Sequence, residues 1–154
     1  MIKFCDLDND LVFSCGFIEY IGRQRNLPRY KVVNILGRKN LRNLYKNASV
    51  FHNLTLDACL GEWEEMVIEF PHGDFINYQN SNFRVPEEFE VGEMYARIIQ
   101  GLELEPIEGI IEIYNSKLSE LIDDYNTYLV HTDSDYLVAS YKAGKLLNEE
   151  IPLV

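Results

Sequence analysis

Apolar residues recur at helical spacing in six stretches of the chain, and prolines, glycines and capping residues separate them. The first stretch follows Asp8 or Asp10, either of which can cap a helix, and carries Leu11, Val12, Cys15, Ile18 and Ile21. Pro28 disfavours helix at Leu27, so this helix is predicted to stop near Asn26. Pro28 then sits in the first turn of a second helix, where a missing N–H costs nothing. Val32, Val33, Ile35, Leu36, Leu41, Leu44 and Tyr45 are its predicted buried face, and Gly37 is expected to weaken or bend it. A third helix follows Asn53 or Thr55, with Leu56, Cys59, Leu60, Trp63 and Met66 on one face.

Residues 71–86 break the pattern. They are rich in Asn, Gly and aromatics, and read as an irregular connector with a weak signal for a short hairpin. Helical spacing resumes after Pro86, with acids in the first turn (Glu87, Glu88) where they suit the helix dipole. This fourth helix carries Phe89, Val91, Met94, Tyr95, Ile98 and Ile99. A fifth is predicted to run from Pro106 through Tyr125 by way of Ile110, Ile111, Ile113, Tyr114, Leu118, Leu121 and Ile122. A sixth follows Asp133 and carries Tyr136, Leu137, Ser140, Tyr141, Leu146 and Leu147.

A shift of 78 residues brings the two sets of helices into register. Pro28 then falls on Pro106, and Val32, Val33 and Ile35 fall on Ile110, Ile111 and Ile113. Leu44 meets Ile122, Thr55 meets Asp133, and Trp63 meets Tyr141; His52 meets His131 after one inserted residue. Two unrelated amphipathic segments would share the period but have no reason to share the prolines. The predicted fold is all-α: two three-helix repeats, residues 1–70 and 87–154, arranged as a pseudo-twofold bundle and joined by the 71–86 connector.

Composition narrows the function classes. Hydrophobic residues make up 47% of the 154, enough to form a core. No apolar run approaches the ~20 residues of a membrane helix, and the N-terminal residues lack the apolar segment of a signal peptide. Three cysteines (Cys5, Cys15, Cys59) without a CxxC read as reduced thiols, so a cytoplasmic protein is expected. The net charge of −11 disfavours direct binding to nucleic-acid phosphates. That charge is unevenly placed: residues 1–80 hold nine Lys/Arg and ten Asp/Glu, whereas residues 81–154 hold five and fifteen. Between Arg23 and Lys46 there are eight basic residues and no acid.

Four candidate chemistries can be weighed. Asp6 and Asp8 behind an apolar stretch resemble the nucleophile loop of haloacid-dehalogenase-type phosphatases, which use one Asp on phosphorus and a second as acid/base with Mg²⁺. Here Asn9-Asp10 replaces the glycine–threonine of that loop, and no alternating β/α pattern follows, so a small phosphate-ester hydrolase is the weakest reading. As an EF-hand loop the same acids fail, because Leu11 and Phe17 stand where glycine and glutamate are required. His52, His72 and His131 lack zinc spacing, and a Cys59–His52 nucleophile pair is outweighed by the core position of Cys59. No catalytic residue, metal ligand or cofactor is assigned.

Each half resembles a small bacterial family of helical domains of unknown function. The residues that carry the likeness are Phe17, Glu19 and Tyr20, then Val32, Val33 and Ile35, then Val50-Phe51-His52; in the second half they are Tyr125 to Asp135. Members of that family are often encoded beside ADP-ribosyltransferase-like proteins. The resemblance implies a regulatory or antitoxin-like role towards a partner and supplies no catalytic residue.

The expected function is therefore protein–protein interaction, inhibitory or antitoxin-like, with a basic partner surface or a second copy of the chain as the binding partner. The residues expected to meet the partner are Glu87, Glu88, Glu90, Glu93, Asp123, Asp124, Phe75 and Tyr78. The alternative is a small-ligand or nucleotide-binding module that holds an anion with Arg38, Lys39 and Arg42 of the basic 23–46 segment.

Overall fold

The structure, a computed structural model, describes residues 6–66, 68–79 and 82–154, and of Met66 the backbone alone. Cys5 and the apolar run before Asp6 lie outside the described residues. The fold is mostly helical, as the periodicity predicts. In chain order the elements are α1 (Asn9–Arg25), α2 (Arg29–Lys46), α3 (Ala48–Phe51), α4 (Leu56–Met66), α5 (Glu88–Gly101), α6 (Pro106–Tyr114), α7 (Lys117–Ile122), a 3₁₀ turn (Leu129–His131) and α8 (Ser134–Ala143). A two-stranded antiparallel ribbon, β1 (Lys145–Leu146) and β2 (Ile151–Pro152), closes the chain and packs on α8.

Helix α1 is the centre of the molecule. Its side chains are buried on every side from Phe13 to Gly22, so it reads as apolar all round rather than as a stripe. Asp8 starts it by accepting hydrogen bonds from the Asp10 and Leu11 amides at 3.0 and 3.2 Å. Asn26 ends it in the left-handed conformation (φ 52°). Helix α5 lies along α1 as its most extensive neighbour; α2 packs against α1 and α6, and α8 against α5. One continuous core cluster runs from Leu11 to Leu153 and includes residues of every helix.

The α1–α5 crossing is set by two glycines. A Cβ on Gly92 would stand 2.5 Å from the Val12 carbonyl oxygen and 2.7 Å from the Gly16 nitrogen. A Cβ on Gly16 would stand 2.5 Å from the Phe89 ring. The backbones therefore meet where no side chain intervenes, and Phe13 and Phe89 flank the contact with ring centroids 5.9 Å apart.

Local structure departs from the sequence reading at two places and follows it at a third. Gly37 takes φ 73° and ψ 170°, outside the helical region, and kinks α2, as its position in the sequence predicts. The predicted fifth helix is broken at Asn115, because the Ser116 hydroxyl accepts from the Ser119 amide and caps a new helix, α7. Leu146, read as a sixth-helix position, belongs to β1: Gly144 (φ 76°) ends α8, and Leu146 pairs with Ile151. The connector forms no strand among its described residues. Among the described residues no helix is long and apolar enough to cross a membrane.

Candidate functional site

The interior of this acidic protein holds a cluster of polar side chains centred on Glu19, in the middle of α1. Both carboxylate oxygens of Glu19 are engaged by Arg29 at the start of α2, Nε to Oε1 and Nη2 to Oε2, each at 2.8 Å. Oε2 also accepts from Arg23 Nε at 2.7 Å and from the Tyr125 hydroxyl at 2.6 Å. Arg29 completes its shell through Nη1 to the Leu27 carbonyl at 3.0 Å. Glu19 and Arg29 are effectively sealed from water. Burial alone would push the Glu19 carboxyl up, but Arg29, Arg23 and the Tyr125 hydroxyl outweigh it and hold it down at about 2.

Asp123, just after α7, joins the cluster from the other side. It accepts from the Tyr95 hydroxyl at 2.9 Å, and Tyr95 is 2.7 Å from the Ser119 hydroxyl. The backbone of Arg29 hydrogen-bonds the same carboxyl, at the start of a helix whose own N-cap, Pro28, offers no side-chain acceptor. Burial, reinforced by the Glu19 charge, pushes Asp123 up to about 7 against the opposing pull of Arg29. The two buried carboxyls are thus driven in opposite directions, because Glu19 is paired directly with two cations and Asp123 has no ion pair to offset its burial.

Two members of this cluster, Ser119 and Asp123, line a pocket of about 550 Å³ between the start of α2, the α6–α7 junction and the connector. Pro28, Tyr30 and Phe75 supply apolar wall, while Ser119 and Asp123 supply polar floor. The Arg29 guanidinium lies 6.0 Å from the Phe75 ring centroid, a cation–π contact that holds the ring over the cluster. The connector is fixed here by main-chain bonds: Phe75 N–H donates to Asn26 at 2.9 Å, and Tyr125 N–H donates to Asn77 at 2.8 Å.

The residues expected to meet a partner are distributed as follows. Glu88 lies 3.6 Å from Arg23, Glu90 forms a two-point pair with Arg84, and Glu93 pairs with Arg97 at 2.8 Å. Asp123 is buried, and Phe75 is half-buried in the pocket wall. Glu87, Asp124 and Tyr78 are exposed. Of the three basic residues proposed for an anion, Arg38 is committed to Glu108, with Nη2 2.8 Å from Oε2. Lys39 and Arg42 are exposed and form no ion pair among the described residues. Half of the basic run is engaged within the chain: Arg23, Arg25, Arg29 and Arg38 all pair with its own glutamates.

The other chemistries considered from the sequence find these surroundings. The Asp8 carboxylate is occupied as a helix cap and by the Tyr45 hydroxyl. His52 packs at a tilt against Phe13, ring centroids 5.3 Å apart, while His131 Nε2 contacts the Arg84 carbonyl at 2.6 Å. Burial pushes the Cys15 thiol up to about 12 and that of Cys59 up to about 11, which keeps both protonated at neutral pH. Among the described residues no group of three or more His, Cys, Asp or Glu is placed to hold a metal ion.

Glu19, Arg29, Tyr95, Ser119 and Tyr125 carry the cluster, and the sequence reading did not assign them a site. One signal was present: Glu19 is the single charge between Leu11 and Gly22, and an acid alone in so apolar a helix requires a buried partner. Comparison with protein-family models, with curated proteins and with solved structures gives no match.

Proposed function

We propose that the protein acts by binding another protein, as an inhibitory or antitoxin-like regulator in the cytoplasm. The observation that carries this reading is the apolar surface of the connector. Ile76 and Tyr78 are 57% and 47% exposed, Phe83 is 40% exposed, and Tyr128 is 41% exposed on the segment the connector runs beside. Main-chain and side-chain bonds hold the two segments together: Asn77 to Tyr125, Gln79 to Asn126 at 2.8 Å, and Arg84 to His131. Exposed tyrosine and phenylalanine on a tethered loop are the usual composition of an interface anchor. Glu87 and Asp124 flank them, in a half of the chain whose net charge is −10, so a basic partner surface is the complement. The inhibitory role itself rests on the resemblance of the two halves to a family encoded beside ADP-ribosyltransferase-like proteins.

We also propose that the chain is a tandem of two related halves packed about a pseudo-twofold axis. Element order supports it: α1, α2, α3 and α4 run parallel in sequence to α5, α6 with α7, the 3₁₀ turn and α8. So does the break in the second helix of each set, at Gly37 and at Asn115, which are 78 residues apart. So do the pairings, α1 on α5 and α2 on α6. The α1–α5 crossing aligns Phe13 and Gly16 with Phe89 and Gly92 at a shift of 76, which requires two extra residues between Gly92 and Pro106.

The test is affinity capture of the full chain from its native cell at low and moderate salt, with mass spectrometry. A dominant partner that weakens with salt supports the reading, because charge complementarity is screened. Salt-insensitive capture, or none, contradicts it.

A further inference from the structure

The pocket above the Glu19 cluster has a recognition chemistry of its own, separate from the connector surface. At about 550 Å³ it lies within the ~300–1,000 Å³ typical of small-ligand sites. Its apolar wall is aromatic, Tyr30 and Phe75 with Pro28 beside them, and a flat ring is the shape such a wall holds best. Its charge balance selects a neutral ligand. No Lys or Arg lines it, so an anion would face Asp123 and Glu120, the latter already paired with Lys117 outside the lining. A cation against Phe75 would meet a ring already engaged by the Arg29 guanidinium.

The hydrogen-bond donors on the floor are spoken for. Tyr95 has one hydroxyl proton, and it goes to Asp123. The Ser119 proton therefore goes to the Tyr95 oxygen 2.7 Å away, which leaves Ser119 Oγ an acceptor towards the pocket. The Asp123 carboxyl has about four lone-pair sites when ionised, and when protonated it trades one of them for an O–H donor. Tyr95 and the Arg29 backbone use two of them, so acceptor capacity remains on that side as well. A ligand must accordingly present N–H donors to the floor while its ring lies against the wall.

We propose that this pocket binds a neutral, planar nitrogen heterocycle of nucleobase size, its ring against Tyr30 and Phe75 and its N–H edge towards Ser119 and Asp123. The site takes the base alone. A phosphate, if the ligand carries one, gains nothing from the pocket.

The test is titration calorimetry of the full chain with adenine, guanine, cytosine, uracil and hypoxanthine, each also as its nucleoside and nucleoside monophosphate. Tyr30→Ala and Phe75→Ala are measured alongside. Tyr30 is 44% exposed, so its removal is expected to leave the thermal midpoint unchanged. The expected result is binding of at least one base or nucleoside, unimproved by the phosphate, and weakened about tenfold by either substitution, as loss of a stacking partner implies. Absence of binding by every base and nucleoside overturns the proposal. So does binding that both substitutions leave unchanged, and so does binding confined to the phosphorylated forms, which would locate recognition at basic residues elsewhere.

Discussion

Arg29 closes on Glu19 with two parallel 2.8 Å hydrogen bonds, and neither side chain reaches water. The pair joins the first turn of α2 to the middle of α1, and it leaves space for nothing else. A Cβ on Gly22 would stand 2.4 Å from Arg29 Cδ, so the arginine stem lies in a groove that only glycine leaves open. Glu19→Gln removes the countercharge and leaves a buried guanidinium without its anion. The expected loss of stability is about 3–5 kcal/mol, read from urea unfolding. Replacing both partners, Glu19→Leu with Arg29→Met, is expected to cost less than Glu19→Gln alone. A larger loss in the double variant would show that the pair does more than satisfy itself.

The two carboxyls of the cluster give stability opposite pH dependences. Glu19 sits at about 2 in the folded chain against an ordinary 4.5, so its contribution is complete above about pH 4.5 and is lost as pH falls towards 2. Asp123 sits at about 7 against an ordinary 3.8, so the folded state holds a proton that the unfolded state gives up. Stability from that source is complete below about pH 4 and is lost as pH rises through 7. The groups facing Asp123 are Glu19 from α1, Arg29 from α2, Tyr95 from α5 and Tyr125; the cationic one opposes the shift and the anionic one reinforces it. The expected profile peaks near pH 4. Asp123→Asn keeps the acceptor for Tyr95 and removes the ionisation. It is expected to stabilise the protein at pH 8 by on the order of 2–4 kcal/mol and to change little at pH 4. Thermal unfolding at the two pH values decides it, and equal effects at both would contradict the assignment.

The helix crossing predicts a contrast between two glycines. Gly92→Ala places a methyl 2.5 Å from the Val12 carbonyl oxygen and pushes α1 from α5, an overpacking that costs about 1–3 kcal/mol. Gly61 lies on an exposed face of α4 with nothing within 4 Å of a Cβ, so Gly61→Ala is expected to stabilise by up to ~1 kcal/mol. Chemical denaturation of the two variants gives shifts of opposite sign if the crossing is as described.

Much of the fold was legible because its signals are local. Asp8 caps α1 with a side chain two and three residues from the amides it receives, and Pro28 and Pro106 mark helix starts by their own geometry. Where the reading failed, two local signals competed. Ile110 to Tyr125 keeps its apolar period across Ser116, yet the Ser116 hydroxyl caps a fresh helix and breaks the run. Leu146 continues the period of α8, but Gly144 turns the chain before it. The Glu19 cluster was hidden for a different reason. Its members are 10, 104 and 106 residues from Glu19, at Arg29, Asp123 and Tyr125, and no periodicity reports a contact made only by packing. The pocket is likewise a product of three elements meeting, so Tyr30 carried no mark in the sequence.

The claim tested most directly is that the connector surface binds a partner protein. The measurement is quantitative capture from the native cell by the wild-type chain and by an Ile76→Ser, Tyr78→Ala double variant. Both side chains are about half exposed, so the variant is expected to unfold at the wild-type temperature. If Tyr78 is an anchor, its truncation costs roughly 2 kcal/mol of binding, or about thirtyfold in Kd. The account expects one salt-sensitive partner held by the wild type and lost by the variant. A partner held equally by both chains would contradict it.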